Sequence, residues 1–299
     1  MTQSWRKTVL VTGANQGIGR VTAFELARAG FSVFATTRSE EKAEALRDEA
    51  ARVGLTLRTV VVELTDVDAT AEAFAEVAAA TDGGPWAVVN NAGYAQAGAV
   101  EDVDDARVRN QLEVNVLAPV RLARLALPSM RARGTGRIVN MSSFGGLIVE
   151  PFLGWYMASK FALEAISDAL RMEVAQFGVQ VVLIEPGGFS SGIWQRGVDG
   201  APPRENSAYA GFYNLADAML EHAAALPQPD PVARAVRHAL TVDRPRARYP
   251  VGTDVKVGSV LETVLPTPAL DWVKGLRSGL HKPQSVPGRV TANLLSRFF

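Results

Sequence analysis

Short runs of valine, isoleucine and leucine alternate along the chain with longer segments whose apolar residues recur at helical spacing. TVLVT (8–12), SVFAT (32–36), RTVVVEL (58–64), WAVVN (86–90), GRIVNMSS (136–143) and VQVVLIEP (179–186) read as strands. The spacing predicts helices over 17–29, 40–52, 69–80, a long one within 104–131, and another over 155–176. The strand runs are continuously apolar, so these strands are expected to be covered on both faces. Strand–helix alternation then predicts a parallel sheet with right-handed crossovers. ARYPVG (247–252) reads as a last strand. The expectation is one α/β domain over 1–299: a doubly wound parallel sheet of about seven strands with helices on both faces.

Periodicity weakens past residue 187. The glycine- and proline-rich stretch 187–206 reads as a loop, and helices are expected over 208–225 and 230–241. The tail 281–299 has no clear period; its end either docks on a partner subunit or stays loose. Hydrophobic residues make up 47% of the 299, too many for a disordered chain. The 31 basic residues balance the 31 acidic ones, which argues against a nucleic-acid partner. With no cysteine, disulfide and thiolate chemistry are excluded, and His222, His238 and His281 lie too far apart to suggest a metal site. The N-terminus lacks a signal-like apolar core, and no run reaches the roughly 18–20 apolar residues that span a bilayer. A cytoplasmic protein without membrane association is therefore expected.

The first strand runs into VLVTGANQGIGR. Gly13, Gly17 and Gly19 stand where a tight turn, a close backbone approach and close helix–strand packing each exclude a Cβ. The helix that follows offers free N–H groups and a positive dipole end to a pyrophosphate. Asn15, Gln16 and Ile18 complete this candidate dinucleotide cradle. At the end of the second strand, where an acid would grip the ribose hydroxyl of NAD, the chain reads Thr36–Thr37–Arg38. A guanidinium there can bind a 2′-phosphate, so Thr37 and Arg38 favour NADP(H), with NAD(H) possible.

Ser143 closes the fifth strand, and the helix after it carries Tyr156 and Lys160 four residues apart, hence on one face. Strand C-termini face the ligand crevice in such sheets, so a hydroxyl, a phenol and an ammonium converge there. Hydride transfer to a carbonyl needs a proton donor at the developing alkoxide, and the reverse needs a base. The ammonium is expected to lower the phenol's pKa, and Ser143 to hold the substrate oxygen. Asn115 lies in the long central helix four residues before Pro119. That proline has no N–H and crowds the carbonyl of residue 115, which then needs another partner such as a water on a path from Lys160.

In order along residues 8–191, TGANQGIG, NNAG (90–93), Asn115, Ser143 with Tyr156-x-x-x-Lys160, and PGGFSS (186–191) resemble the short-chain dehydrogenase/reductase family. VFATTR, IEPGGF and RYPVG are most similar to its 17β-hydroxysteroid-dehydrogenase-like subgroup. The resemblance implies a Rossmann-type fold and a tetrad of Asn115, Ser143, Tyr156 and Lys160, the last two also meeting the cofactor. It implies further cofactor contacts from Asn90, Ala92 and Gly93, and from Pro186, Gly187, Phe189 and Ser191 at the nicotinamide. Ser142 is expected to support Ser143. Glu63, followed by Leu64, stands where the family usually has aspartate against adenine; the longer acid either reaches the adenine amine or turns away. A cofactor-binding part over about 1–187, a substrate loop with helices over about 188–245 and a C-terminal extension over about 246–299 follow.

Tyr94, Phe144, Gly145, Leu147, Phe152, Trp155, Phe189 and Trp194 are candidate pocket walls, mostly apolar, pointing to a bulky apolar ketone or alcohol. Loop 188–206, with Arg196, Asp199, Arg204 and Glu205, can close over the cofactor. The leading expectation is an NADP(H)-dependent oxidoreductase working in the ketone-reducing direction. The alternatives are a related reaction on the same scaffold, such as epimerisation or dehydration, and a non-catalytic NADP-binding regulator. By resemblance, a homodimer or homotetramer is expected through helices 104–131 and 155–176, where Ala158, Ser159, Ala162 and Ala165 permit close approach.

Overall fold

The computed structural model describes residues 7–193, 195, 207–213 and 225–280. Trp194, Arg196, Asp199, Arg204, Glu205, His222, most of the helix expected over 208–225, and the tail from His281 lie outside them. The strands are β1 (Thr8–Val11), β2 (Ser32–Thr37), β3 (Arg58–Val61), β4 (Ala87–Asn90), β5 (Gly136–Met141), β6 (Val179–Pro186) and β7 (Arg248–Val251). They form one seven-stranded sheet in the order β3-β2-β1-β4-β5-β6-β7, and every pairing is parallel.

Alternation along each strand divides the core in two. Val9, Val11, Val89, Val139 and Ile184 face one helix layer, formed by α1 (Gly17–Arg28), α2 (Glu40–Arg52) and α7 (Asp230–Thr241). Leu10, Val88, Ile138 and Val181 face the other, formed by α3 (Val67–Ala79), α5 (Ala118–Arg133) and α6 (Gly154–Val174). Helix starts follow capping chemistry: Ser39 accepts from Lys42 N, Asp66 from Ala69 N and Asp104 from Arg107 N. Arg137 on β5 donates to the carbonyls of Ala239 and Val242, placing a cation on the C-terminus of α7. Ile138 is fully buried at the centre of the sheet. Ile138→Ala is expected to cost about 2–5 kcal/mol of stability by chemical denaturation, from lost transfer energy plus a cavity.

Two features depart from the sequence reading. The long helix within 104–131 is broken into α4 (Asp105–Leu112), a π-helical turn over Glu113–Leu117, and α5. The π turn holds Asn115 and ends next to Pro119, whose missing N–H interrupts the regular ladder. Beyond β7, two helices stand where none was expected: α8 (Thr253–Val264) and α9 (Thr267–Arg277). β-branched residues and a mid-helix Gly258 give α8 weak intrinsic helicity. Contact with the body holds it, through buried Val255 and through Gly258, where a Cβ would collide with the Phe144 ring.

Candidate active site

Strand order reverses between β1 and β4, and a cleft of about 460 Å³ opens there, at the carboxyl end of the sheet. Its floor is the loop from β1 to α1. Gly13 (φ 64°) and Gly17 (φ 53°) occupy the left-handed region, which disfavours side chains. A Cβ on Gly13 would lie 2.9 Å from Ala92 Cα, and one on Gly19 would collide with Gly13 O and Asn91 Nδ2. Gln16 precedes α1 without a side-chain cap, so the first-turn N–H groups remain available to an anion. These residues fit a pyrophosphate. Thr12 staples the loop to β4, its Oγ1 accepting from Asn91 N (3.0 Å) and Ala92 N (2.9 Å). Asn91 answers with Nδ2 on Thr12 O (2.9 Å) and Gly13 O (3.2 Å).

Asn15, Gln16, Ile18, Thr37, Arg38, Glu63, Leu64, Ala92, Gly93, Pro186, Gly187, Phe189 and Ser191 all line this cleft. Asn90 does not. Strand alternation turns its side chain into the core, where Nδ2 donates to Asn140 Oδ1 (2.8 Å) and Pro119 O (3.3 Å). Its neighbour Asn91 meets the cleft instead, one residue along from the expected contact. Arg38 is exposed at the rim, and among the described residues no carboxylate pairs with it. Glu63 bends back on its own turn, with Oε1 accepting from Thr65 N (3.3 Å). Arg121 holds Leu64 by donating to its carbonyl at 2.9 Å, and pairs with Glu113 of the π turn at 2.6 Å. Asp254 accepts from Gly188 N at 2.7 Å, fixing the loop after β6 from the start of α8. Neither Arg121 nor Asp254 has a local sequence signal, because each acts on a residue more than fifty positions away.

The four residues of the expected tetrad converge. Tyr156 and Lys160 are buried on one face of α6 and both line the cleft. Lys160 Nζ donates to Met141 O (2.9 Å) and stands 5.7 Å from the centroid of the Tyr156 ring. Ser143 hydrogen-bonds Tyr156, and its Oγ also accepts from Gly145 N (3.0 Å), capping a short turn over Phe144–Gly146. A Cβ on Gly145 would press on Tyr156 Cε1 at 3.2 Å, so glycine there leaves room for the ring. Asn115 is clamped: its Nδ2 donates to Tyr94 O and Ser159 Oγ, each at 3.0 Å, and its Oδ1 accepts from Tyr94 N (3.2 Å).

The electrostatics differ from the expected tuning of the phenol by its lysine. Burial pushes Tyr156 up to about 12, and only the Ser143 hydrogen bond pulls it back. Burial pulls Lys160 down to about 8, with Glu164 opposing. Desolvation is thus the dominant cause of both shifts. At neutral pH this leaves a protonated phenol, a donor, beside a lysine that is still mostly charged.

Of the expected substrate walls among the described residues, Tyr94 and Phe189 line the cleft, and Phe144, Gly145, Leu147, Phe152 and Trp155 do not. Phe144 is taken up by α8. Phe152 is buried edge-to-face on Tyr209 (5.6 Å between centroids), with its backbone in the left-handed region at φ 66°. Trp155 ties its indole N–H to Val100 O (3.2 Å). The described part of loop 188–206 leans on the glycine loop, Ser191 Cβ lying 3.2 Å from where a Gly17 Cβ would stand.

Residues 7–200 match the family described as short chain dehydrogenase. The chain belongs to this family. It is 36% identical over 272 residues to the oxidoreductase YbbO of Escherichia coli (strain K12), covering 90% of this chain and 94% of that one. It is 32% identical to an NADPH-dependent 3-dehydrocapnine reductase of Ornithobacterium rhinotracheale, covering 88% and 94%. A metagenomic short-chain oxidoreductase solved in complex with NADP superposes with a TM-score of 0.66 at 27% identity, covering 82% of this chain and 96% of that one. The protein is thus a short-chain dehydrogenase/reductase enzyme on a Rossmann-like sheet. No helix among the described residues is long and apolar enough to cross a membrane.

Proposed function

We propose that this enzyme is an NADP(H)-dependent reductase of a bulky apolar ketone, with Tyr156 as proton donor. The observation that carries the reading is a buried phenol, bonded to Ser143 and flanked by Lys160, inside the cleft that begins at the glycine loop. The nicotinamide, when bound, supplies hydride. Tyr156 gives its proton to the oxygen that becomes an alkoxide, Ser143 holds that oxygen, and Lys160 keeps positive charge beside the exchange. Asn115 fixes the Tyr94 segment against α6. Tyr94, Val114, Met141 and Ile193 give the cleft lining apolar surface, which supports a substrate without charge. The relationship to an NADPH-dependent 3-dehydrocapnine reductase supports the reductive direction and the choice of NADPH.

Arg38 supports NADP(H) over NAD(H). Arg38→Glu is expected to weaken NADPH binding by about ten- to a hundredfold, the range of a lost charge-assisted contact, while NADH binding changes little. Fluorescence titration of both cofactors checks this, and an equal effect on both removes Arg38 from the 2′-phosphate site. A screen of cyclic and aryl ketones, followed by loss of reduced-nicotinamide absorbance, tests the substrate class; no turnover with any of them counts against it. Exposed Ala158, Phe161, Ala165 and Met172 form one face of α6 and support a homo-oligomer through α5 and α6. Ser159 is not on that face, being buried against Asn115.

A further inference from the structure

Lys160 is a buried cation that donates to a carbonyl, Met141 O at 2.9 Å. A buried ammonium costs several kcal/mol unless an opposite charge compensates it. One helical turn further along α6, on the same face, stands Glu164, 6% exposed. Its Oε1 and the Ser142 hydroxyl lie 3.4 and 2.8 Å from the point where a Cβ on Gly146 would sit. Ammonium and carboxylate therefore bracket the end of β5, one at the Met141 carbonyl and the other beside the next residue's hydroxyl. Any side chain at position 146 would intrude on this arrangement.

Glu164 is held from the far side. Arg248, on the edge strand β7, sends Nε to Glu164 Oε2 at 3.1 Å and Nη2 to Asp168 Oδ2 at 2.7 Å. It also lies 3.2 Å from Glu185 Oε1 on β6. The groups facing Glu164 are thus Lys160 and Asp168 from its own helix, Ser142 from the end of β5, Glu185 from β6 and Arg248 from β7, with Arg171 pairing Asp168 at 3.0 Å. Burial raises Glu164, while the Ser142 hydroxyl and Arg248 pull it back. Burial raises Glu185 to about 7, so below that pH it is largely neutral and leaves the guanidinium to Glu164 and Asp168.

We propose that Glu164, clamped by Arg248, is the counter-charge of Lys160 and a positioning residue for the proton-handling pair. The proposal deepens the reading of Tyr156 and Lys160 given above and rests on it. It makes the state of Lys160 depend on a residue that touches neither cofactor nor substrate, anchored from the edge strand β7, two strands from β5.

The test reads Lys160 directly in the cofactor-free enzyme, by NMR of ¹⁵N-labelled lysine, with its signal assigned by its absence in Lys160→Arg. Glu164→Gln removes the negative charge, so the titration midpoint of Lys160 is expected to fall by about one pH unit, a tenfold loss of ammonium relative to amine at a pH above both midpoints. Asp168→Asn, on the far side of Arg248, is expected to shift it less than half as far. NADPH binding to Glu164→Gln is expected to stay near wild type at pH 6 and to weaken at pH 8. An unchanged or raised midpoint in Glu164→Gln overturns the proposal. Should that variant fail to fold, Glu164→Met removes the same charge with an apolar chain of similar length and faces the same criterion. The NMR reading needs no turnover, so an enzyme inactive on every ketone would sink the functional reading and leave this result standing.

Discussion

Tyr156→Phe is expected to lower kcat by about 10²- to 10⁴-fold, the range of a general acid, while NADPH affinity stays within about twofold of wild type. The substitution removes one hydroxyl and keeps the buried ring that packs against Gly145. Stopped-flow single turnovers separate the chemical step from binding. Substantial residual turnover would take Tyr156 out of the donor role. The wild-type pH profile carries the sign of the argument. A phenol raised to about 12 keeps its proton across the physiological range, so it does not itself limit reduction there. Lys160, brought down to about 8, does: as pH rises through that value the ammonium is lost, and kcat/KM for ketone reduction is expected to fall. In the oxidative direction the same phenol must lose its proton, which burial opposes, so oxidation is expected to be slow at neutral pH and to speed up as pH rises.

The second large effect is steric. Gly19→Val should cost about 1–3 kcal/mol of stability and reduce affinity for both nicotinamide cofactors by about ten- to a hundredfold, because the new Cβ collides with Gly13 O and Asn91 Nδ2. Those atoms form the staple between the first loop and β4, so relief of the clash must open the cradle itself. Gly30→Ala is the control. It sits at φ 87° with nothing within 4 Å of its Cβ position, so it bears only a backbone cost of about 1–2 kcal/mol and should leave binding unchanged. Calorimetric titration with NADPH distinguishes the two, and equal losses in both variants would mean that the glycine loop responds to stability alone.

Much of this site is legible in the sequence because its parts are local. A glycine-rich turn between strand and helix, or two side chains four apart on one helix, is defined within a few residues. Pro119 marked a disturbed carbonyl at Asn115, since a missing N–H cannot be repaired by packing, but not the π turn that divides the helix. Other features depend on partners far along the chain. Phe144 reads as a pocket wall until α8, whose sequence favours a helix only weakly, lies over it. Asn90 and Asn91 are indistinguishable as letters, and the pleat at the end of β4 decides which one turns to the cleft. Arg248 reads as one more surface charge until the sheet order brings β7 beside β6 and its guanidinium to α6.

From its own letters this chain determined the parallel α/β sheet, the cradle at Gly13, Gly17 and Gly19, and the meeting of Ser143, Tyr156 and Lys160, because backbone sterics, helical period and the direction of strand ends act over short range. The tertiary structure alone decided how burial shifts Tyr156 and Lys160 and which group stands ready to balance the lysine's charge. Desolvation depends on what every other segment places around a side chain, and here it drives the phenol up and the lysine down, opposite to the shift that their proximity alone would suggest for the phenol.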